Sequence, residues 1–221
     1  MTSTGNDIVS LSAINAARTN QYKFYSKILS DQENPLYNEF NLAGIPFENF
    51  VWLLWSIKES AYKFLQRHEP GLIFTPVKFV VKKLQIPENY AVTNFAANIE
   101  ATGFENNCSI NGLVNFGQHT LYSRSVIYKE LIVTIVNNED SFENTCWGIK
   151  SINDPGQENQ SKEVRLFLLD KLKTLYGNAN FKINKNQHGC PVLLKDGKDI
   201  NVPISLSHHE NFIGYSFLNH D

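Results

Sequence analysis

The stretch "LLWSIKESAYKFLQ" at residues 53–66 is patterned as an amphipathic helix. It nonetheless carries Lys58, Glu59 and Lys63 among many apolar and aromatic neighbours. Residues four apart share one face of a helix, so Trp55, Glu59 and Lys63 form one line. An exposed ion pair between Glu59 and Lys63 is the simplest interpretation and stays open. With Trp52 a turn earlier on nearly the same side, two indoles lie beside that pair. Two indoles are unusual on a solvent-facing stripe, which makes this helix the first candidate for a site.

The composition describes a folded protein with room for a sizeable core. The chain has 221 residues, of which 42% are hydrophobic and 19% charged, as expected for one large domain or two small lobes. A net charge of −2 gives no general reason to expect nucleic acid or an anionic membrane as partner.

The cysteines and the hydropathy indicate the compartment. Three cysteines, none in a C-x-x-C pair, predict neither a disulfide framework nor a zinc knuckle. No stretch approaches the roughly 20 apolar residues of a membrane span, and no basic segment followed by an apolar run opens the chain. We therefore predict a cytoplasmic protein without a membrane anchor.

The first part of the chain predicts helices followed by strands. Helical spacing extends over 20–33 and from 47 to about 68, where "EPG" ends the second helix. The segments 72–86 and 125–136 are rich in β-branched and aromatic residues and predict strands, with one more strand between them.

The second part repeats this order. The polar segment 153–160, "NDPGQENQ", is the best linker candidate, and 162–177 has helical spacing ended by a glycine. Two short strands around a turn are predicted within 181–194, and a hairpin within 202–218. The pattern predicts an α+β fold, with one lobe over residues 1–150 and another over 160–221.

Two further places carry polar groups of interest. Asp7 lies in "GNDIV" at the edge of a strand, where a turn or cap role is the simple interpretation. "SLSHH" at 205–209 could likewise be a polar hairpin tip. His208 and His209 are adjacent, so on a strand they point to opposite faces, which argues against a zinc site.

Taken together, these places fit chemistry on a phosphate. Asp7 and Glu59 suit Mg²⁺, which typically takes one or two carboxylates, substrate phosphates and water. Lys63 could neutralise a phosphate on the same ion, while Ser207 and His208 offer further donors. The sequence contains no P-loop, no G-x-G-x-x-G turn and no G-x-S-x-G elbow.

The motifs resemble those of the 4′-phosphopantetheinyl transferase superfamily. "WSIKESAYK" (55–63) resembles its Lys-Glu helix, and "GNDIV" (5–9) resembles its Gly-x-Asp strand. "HGCP" (188–191) and "ISLSHH" (204–209) resemble its Gly-x-Pro turn and its Ser-x-Ser-His strand. The resemblance implies a fold of two similar lobes, each with a small antiparallel sheet packed on helices.

The resemblance also implies the reaction. The family transfers the 4′-phosphopantetheine arm of coenzyme A to a serine of an apo carrier protein and releases adenosine 3′,5′-bisphosphate. Asp7 and Glu59 would bind Mg²⁺, and Glu59 and Lys63 would be catalytic. The implied coenzyme A set comprises Lys58, Lys63, Gly189, Pro191, Ser207 and His208. The partner would be an acidic, helical acyl or peptidyl carrier protein.

Motif order divides the family. The large type places the Gly-x-Pro and Ser-His motifs before the Asp and Lys-Glu motifs, whereas this chain has the order of the small holo-acyl-carrier-protein synthase type and the length of the large one. We therefore expect a pseudo-dimer, circularly permuted, with its site between two lobes of one chain. A monomer is favoured, and a trimer like that of the small type is the alternative.

Three positions depart from the family pattern. Val9 replaces a second acid, Cys190 replaces a common phosphate-binding lysine, and His209 is predicted to be a surface residue. Lys185 or His188 could substitute for the missing lysine. Lys78, Lys82 and Lys83 are candidates for the carrier-protein surface, although ordinary solvated lysines would look the same. The alternative functions are a catalytically inactive carrier-protein or nucleotide-binding module and an unrelated Mg²⁺-dependent nucleotide enzyme.

Overall fold

The computed structural model describes residues 3–38, 44–105, 107–177 and 179–219. Four α-helices lie in these ranges: α1 Ala16–Thr19, α2 Tyr22–Tyr25, α3 Phe47–Gln66 and α4 Gln157–Tyr176. The strands are β1 Gly5–Ser10, β2 Val80–Gln85, β3 Asn98–Thr102, β4 Ile110–Phe116, β5 His119–Ile127, β6 Leu131–Asn137, β7 Thr145–Ser151, β8 Phe181–Lys185, β9 Pro191–Lys195, β10 Lys198–Asp199, β11 Ile204–His209 and β12 Phe212–Leu218. Within the described ranges, no helix has the length and apolar content that crossing a membrane requires.

The strands form three antiparallel sheets. The first has five strands in the order β1-β6-β5-β4-β2, and the second has four in the order β11-β12-β7-β3. A third, of three strands, runs β10-β9-β8. Antiparallel sheets packed against a few helices confirm the predicted α+β class.

Helix α3 packs on the first sheet because its apolar residues repeat at helical spacing. Phe50, Leu54, Ile57, Ala61 and Phe64 are all fully buried. They form one core with residues of β2, β4 and β6. This packing fixes the helix that carries Glu59 and Lys63 against the sheet.

Gly5 lets β1 approach α3 more closely than any other residue would allow. A Cβ at this position would lie 2.0 Å from the carbonyl oxygen of Ser60 and 2.9 Å from the backbone nitrogen of Phe64. The glycine of "GNDIV" therefore has a steric role. It brings Asp7, two residues further along β1, next to the helix.

Helix α4 covers the second and third sheets. Val164, Leu168 and Leu172 recur every four residues, are buried, and pack with Tyr215 and Phe217 of β12. A separate apolar cluster includes residues of both larger sheets: Ile8, Leu131, Val133 and Ile135 from the first and Trp147 and Ile149 from the second. The sheets are thereby packed into one body.

Several predicted elements differ from the structure. The segment 125–136, predicted as one strand, is split between β5 and β6, because residues 128–130 turn the chain. The segment 20–33, predicted as one helix, contains only α2 and the start of a 3₁₀ helix at Asp31–Leu36. The linker predicted at 153–160 is partly helical, since α4 begins at Gln157.

Strand pairing crosses the predicted lobe boundary. β3 and β7 precede residue 152, yet they share a sheet with β11 and β12 near the end of the chain. β7 lies in a segment whose polarity gave no strand signal. The lobe bounds 1–150 and 160–221 and the permuted pseudo-dimer both stay predictions.

Candidate functional site

A row of side chains joins β1 to β11. The backbone nitrogen of Asn6 donates to Ser205 Oγ at 3.0 Å, and Asn6 Nδ2 donates to Ser207 Oγ at 2.8 Å. Thr4 Oγ1 and Ser216 Oγ add a hydroxyl pair at 2.9 Å. All of these groups are buried. Asn6 therefore fixes the edge of the first sheet, and with it Asp7, against the "SLSHH" strand.

Lys63 is the centre of the predicted acid cluster. Its Nζ lies 3.1 Å from Asp7 Oδ1 and 3.3 Å from Glu59 Oε1, and it donates to the carbonyl oxygen of Asn6 at 3.0 Å. Both carboxylates contact the same nitrogen, so the two acids lie close enough to share a cation and its water ligands. The structure thus brings Asp7 to Glu59 and Lys63, which follow it by 52 and 56 residues in the sequence.

The two acids differ in exposure. The side chain of Asp7 is 7% exposed, whereas that of Glu59 is 28% exposed. Burial raises the pKa of Asp7 to about 7, with the Lys63 ammonium opposing and the Glu59 carboxylate reinforcing the shift. Burial also lowers the pKa of Lys63, but the adjacent carboxylates outweigh it and raise that pKa overall. Glu59 is therefore the more accessible of the two acids.

The surroundings of the second carboxylate oxygen of Asp7 bear on whether a cation fits here. Asp7 Oδ2 is buried and accepts no hydrogen bond within the described part of the chain, although the Ser56 hydroxyl lies near enough to this carboxylate to lower its pKa. Among the described residues, no group of three or more His, Cys, Asp or Glu side chains is placed to bind a metal. Two carboxylates, with the remaining positions left to water and phosphate, suit a hard cation such as Mg²⁺. The residues present therefore fit the ion that the sequence predicts.

A cavity of about 200 Å³ extends from Lys63. Its lining includes Lys63, Arg67, Arg165, Lys185, His208 and the turn Gly189–Pro191. Burial, together with the neighbouring lysine and arginine charges, lowers the pKa of His208 below its ordinary 6.5. His208 is therefore neutral at pH 7 and can donate or accept a hydrogen bond, while the four cations make the cavity suitable for an anion.

Lys58 is not brought to this cavity, which corrects its assignment to coenzyme A binding. Its side chain is fully buried, and its Nζ contacts Glu33 Oε2 at 2.7 Å and the carbonyl oxygen of Ile28 at 2.6 Å. Burial lowers the pKa of Lys58, and the Glu33 carboxylate opposes that shift. Lys58 lies on the core side of α3, so its ammonium is paired with Glu33 and is out of reach of a ligand in the cavity.

Ser207 and His209 also differ from expectation. Ser207 is buried, is not among the cavity lining, and its hydroxyl accepts from Asn6. His209 was expected at the surface. It is half-buried instead, and its Nδ1 accepts from the Ser10 backbone nitrogen at 3.0 Å. Both residues hold β11 against β1, while His208 between them faces the cavity.

Two cavity residues were missed in the sequence. Arg67 lies one turn after Lys63, so its i+4 spacing was a usable signal. Arg165 lies on α4 and hydrogen-bonds to Ser161. At the position of the missing lysine, Cys190 is buried at the cavity. Of its two proposed substitutes, Lys185 lines the cavity, whereas His188 lies exposed at the turn.

Trp55 of the opening motif and Trp52, three residues before it, line a second, apolar groove. Trp52 and Trp55 pack edge to face at 5.9 Å. They border a cavity of about 610 Å³ with Phe24, Ile28 and Phe74, while Arg18 and Lys27 also line it. This groove lies N-terminal to Glu59 on α3, whereas the cationic cavity lies C-terminal to it.

Comparison with protein families gives one match. The family model of the 4′-phosphopantetheinyl transferase superfamily matches residues 3–103, a segment that contains Asp7, Glu59 and Lys63. Searches among curated proteins and among solved structures returned no match. The Gly-x-Pro and Ser-His motifs lie outside the matched segment. The resemblance read from the first two motifs is thus confirmed: residues 3–103 match the family model of a superfamily whose name describes phosphopantetheine transfer.

Proposed function

We propose that this protein is a Mg²⁺-dependent transferase that moves the 4′-phosphopantetheine arm of coenzyme A to a serine of an apo carrier protein, releasing adenosine 3′,5′-bisphosphate. One observation carries the proposal. The Asp7 and Glu59 carboxylates converge on the Lys63 ammonium at the mouth of a cationic cavity. All three residues lie in the segment that matches the family.

Asp7 and Glu59 are the residues that would hold the magnesium ion. The unpartnered Oδ2 of Asp7 supports this role. Once bound, the ion would supply positive charge to the diphosphate oxygens of coenzyme A. The gain is largest where burial has excluded water, as it has around Asp7.

Glu59 is the group that would accept the proton of the attacking serine. It is partly exposed, while Asp7 is almost fully buried, so a serine of a partner protein can reach Glu59. Lys63 would stabilise the negative charge that develops on the attacked phosphate as the serine oxygen bonds to phosphorus and the bisphosphate leaves. The nucleophile belongs to the partner, which explains the missing nucleophile motif in this chain.

The cationic cavity would hold the adenosine bisphosphate end of coenzyme A. The Gly189–Pro191 turn shapes one wall, with Gly189 at a φ of +80°, and neutral His208 can donate a hydrogen bond to a phosphate oxygen. Ser207 acts indirectly by holding β11 to Asn6. The lining of the cavity comes from the end of α3 and from the last third of the same chain. Because one chain supplies both walls, this supports the proposal of a monomer over a trimer.

The carrier protein would dock on the other side of Glu59. The apolar groove around Trp52 and Trp55 carries Arg18 and Lys27 in its lining. An acidic helical domain would bury apolar surface there and meet complementary charge. Lys78, Lys82 and Lys83, the candidates from the sequence, lie at and before β2 and would extend that basic surface.

A mass-spectrometric assay tests this function. We expect the protein, mixed with coenzyme A, Mg²⁺ and an apo acyl carrier protein, to add one phosphopantetheine arm to the carrier. The same mixture with a chelator, or with a carrier whose acceptor serine is replaced by alanine, should show no mass gain. Binding of coenzyme A without any transfer to acyl or peptidyl carriers would instead indicate the catalytically inactive binding module.

A further inference from the structure

Arg67 connects the catalytic helix to two strands of the cavity wall. It directly follows α3, one turn after Lys63. Its Nη2 donates to the carbonyl oxygen of Pro191 at 2.7 Å and also to that of Ile204. These acceptors are the first residues of β9 and β11. One guanidinium nitrogen therefore holds two strands from different sheets at the end of α3.

The first residues of both strands line the cationic cavity. β9 follows the Gly189 turn, and β11 carries His208 four residues after Ile204. The same helix carries Lys63 one turn and Glu59 two turns before Arg67. The distance between the acid cluster and the cavity walls thus depends on the contacts that Arg67 makes.

The chemistry of arginine suits this connection. The guanidinium is a planar, permanently charged fork, and hydrogen bonds from a charged donor to a carbonyl are stronger than neutral ones. Without Arg67, the carbonyl oxygens of Pro191 and Ile204 would lose a common donor.

We propose that Arg67 is a positioning residue for the proposed transfer. By tying the starts of β9 and β11 to α3, it holds the phosphate-binding wall in register with Glu59 and Lys63. The inference rests on the proposed function. A displacement of about 1 Å between a bound phosphate and its catalytic groups can cost roughly 100-fold in rate, so a side chain that fixes this distance is expected to affect kcat.

The test compares Arg67→Met with Arg67→Lys and with Arg124→Met. Arg124 is the matched control: its Nη2 also donates to a backbone carbonyl, that of Asp140, at 3.1 Å, but it does not line the cationic cavity. Kinetics are measured at a temperature at which circular dichroism shows every variant folded. We expect Arg67→Met to lower kcat by about 30- to 100-fold with the KM for the carrier unchanged. Arg67→Lys should recover about tenfold of that loss because it keeps a charged donor, and Arg124→Met should leave kcat unchanged.

Hydrogen exchange provides a readout that does not depend on activity. We expect the backbone amides of β9 and β11 to exchange faster in Arg67→Met than in the wild type, and at the wild-type rate in Arg124→Met. Unchanged kcat in Arg67→Met, or an equal loss in Arg124→Met, would overturn the inference. So would a rise confined to the KM for coenzyme A, since that result would make Arg67 a ligand-binding group.

If the proposed transferase function is wrong, the experiments give a different set of results from those expected if only the role of Arg67 is wrong. If the wild type transfers no phosphopantetheine, the proposed function fails and the exchange comparison alone decides whether Arg67 ties the strands. If the wild type is active but exchange at β9 and β11 is the same in both variants, Arg67 does not position the wall.

Discussion

Glu59→Gln is expected to lower phosphopantetheine transfer by at least about 100-fold, and Asp7→Asn by a similar factor. Each substitution keeps the shape of the side chain and removes its negative charge. Both carboxylates are needed to bind the cation, and that of Glu59 is also needed to accept the proton of the serine. The measurement is the initial rate of mass gain on an apo carrier protein at saturating coenzyme A and Mg²⁺. Near-normal turnover of Glu59→Gln would refute its role as proton acceptor even if transfer itself is observed.

The pH dependence of the free energy of unfolding tests the environment of Asp7. The pKa of Asp7 is raised from 3.8 to about 7 in the folded protein, so the folded state holds a proton that the unfolded state releases. Folding is therefore most favourable at low pH and loses this contribution as pH rises towards 7. In the presence of a chelator, the stability of Asp7→Asn relative to the wild type should increase as pH rises from about 4 towards 8. A pH-independent difference between the two proteins would contradict the assignment of a buried, protonated Asp7.

Glu33→Gln is expected to destabilise the protein by about 3–5 kcal/mol, because it leaves the Lys58 ammonium buried without a counter-charge. Both side chains are fully buried and meet at 2.7 Å. Glu33 also accepts from the backbone nitrogens of Ser30 and Val81, each at 2.7 Å. The pair therefore ties α3 to the loop before it and to β2. Denaturant unfolding at neutral pH measures the change.

The double variant supplies the control. Lys58→Met with Glu33→Gln leaves no charge in the core and should be less destabilised than the sum of the two single changes. Additive losses would show that the two groups act independently, contrary to their contact. The result also bears on the motif itself, since the lysine beside Glu59 would then be required by the fold and not by a ligand.

The sequence predicted the parts of the site that rest on local pattern. Glu59 and Lys63 follow from helical spacing, and the i+4 rule places them correctly on α3. Asp7 was predicted from its motif. Its contact with Lys63 depends on Gly5, whose missing side chain allows β1 to lie against α3. The glycine of the "GNDIV" motif is therefore the residue that lets the two elements pack.

The rest could not be predicted because it depends on long-range pairing. β7 lies in a polar segment and is a strand only because β12 and β3 pair with it on both sides. His209 was expected at the surface, but the approach of β1 to β11 turns it into an acceptor for Ser10. Lys58 looked like a ligand group beside Glu59. Its neighbour in space, Glu33, comes from a 3₁₀ helix in a segment for which the periodicity indicated an α-helix.

The most direct test of the account is calorimetric titration of coenzyme A at about pH 8, with and without Mg²⁺, into the wild type and into the double variant Asp7→Asn with Glu59→Gln. We expect Mg²⁺ to tighten binding to the wild type by at least about tenfold, close to 1.4 kcal/mol, and to leave binding to the double variant unchanged. If Mg²⁺ has no effect on the wild type, or strengthens binding to the double variant equally, then Asp7 and Glu59 do not hold the ion that binds the diphosphate.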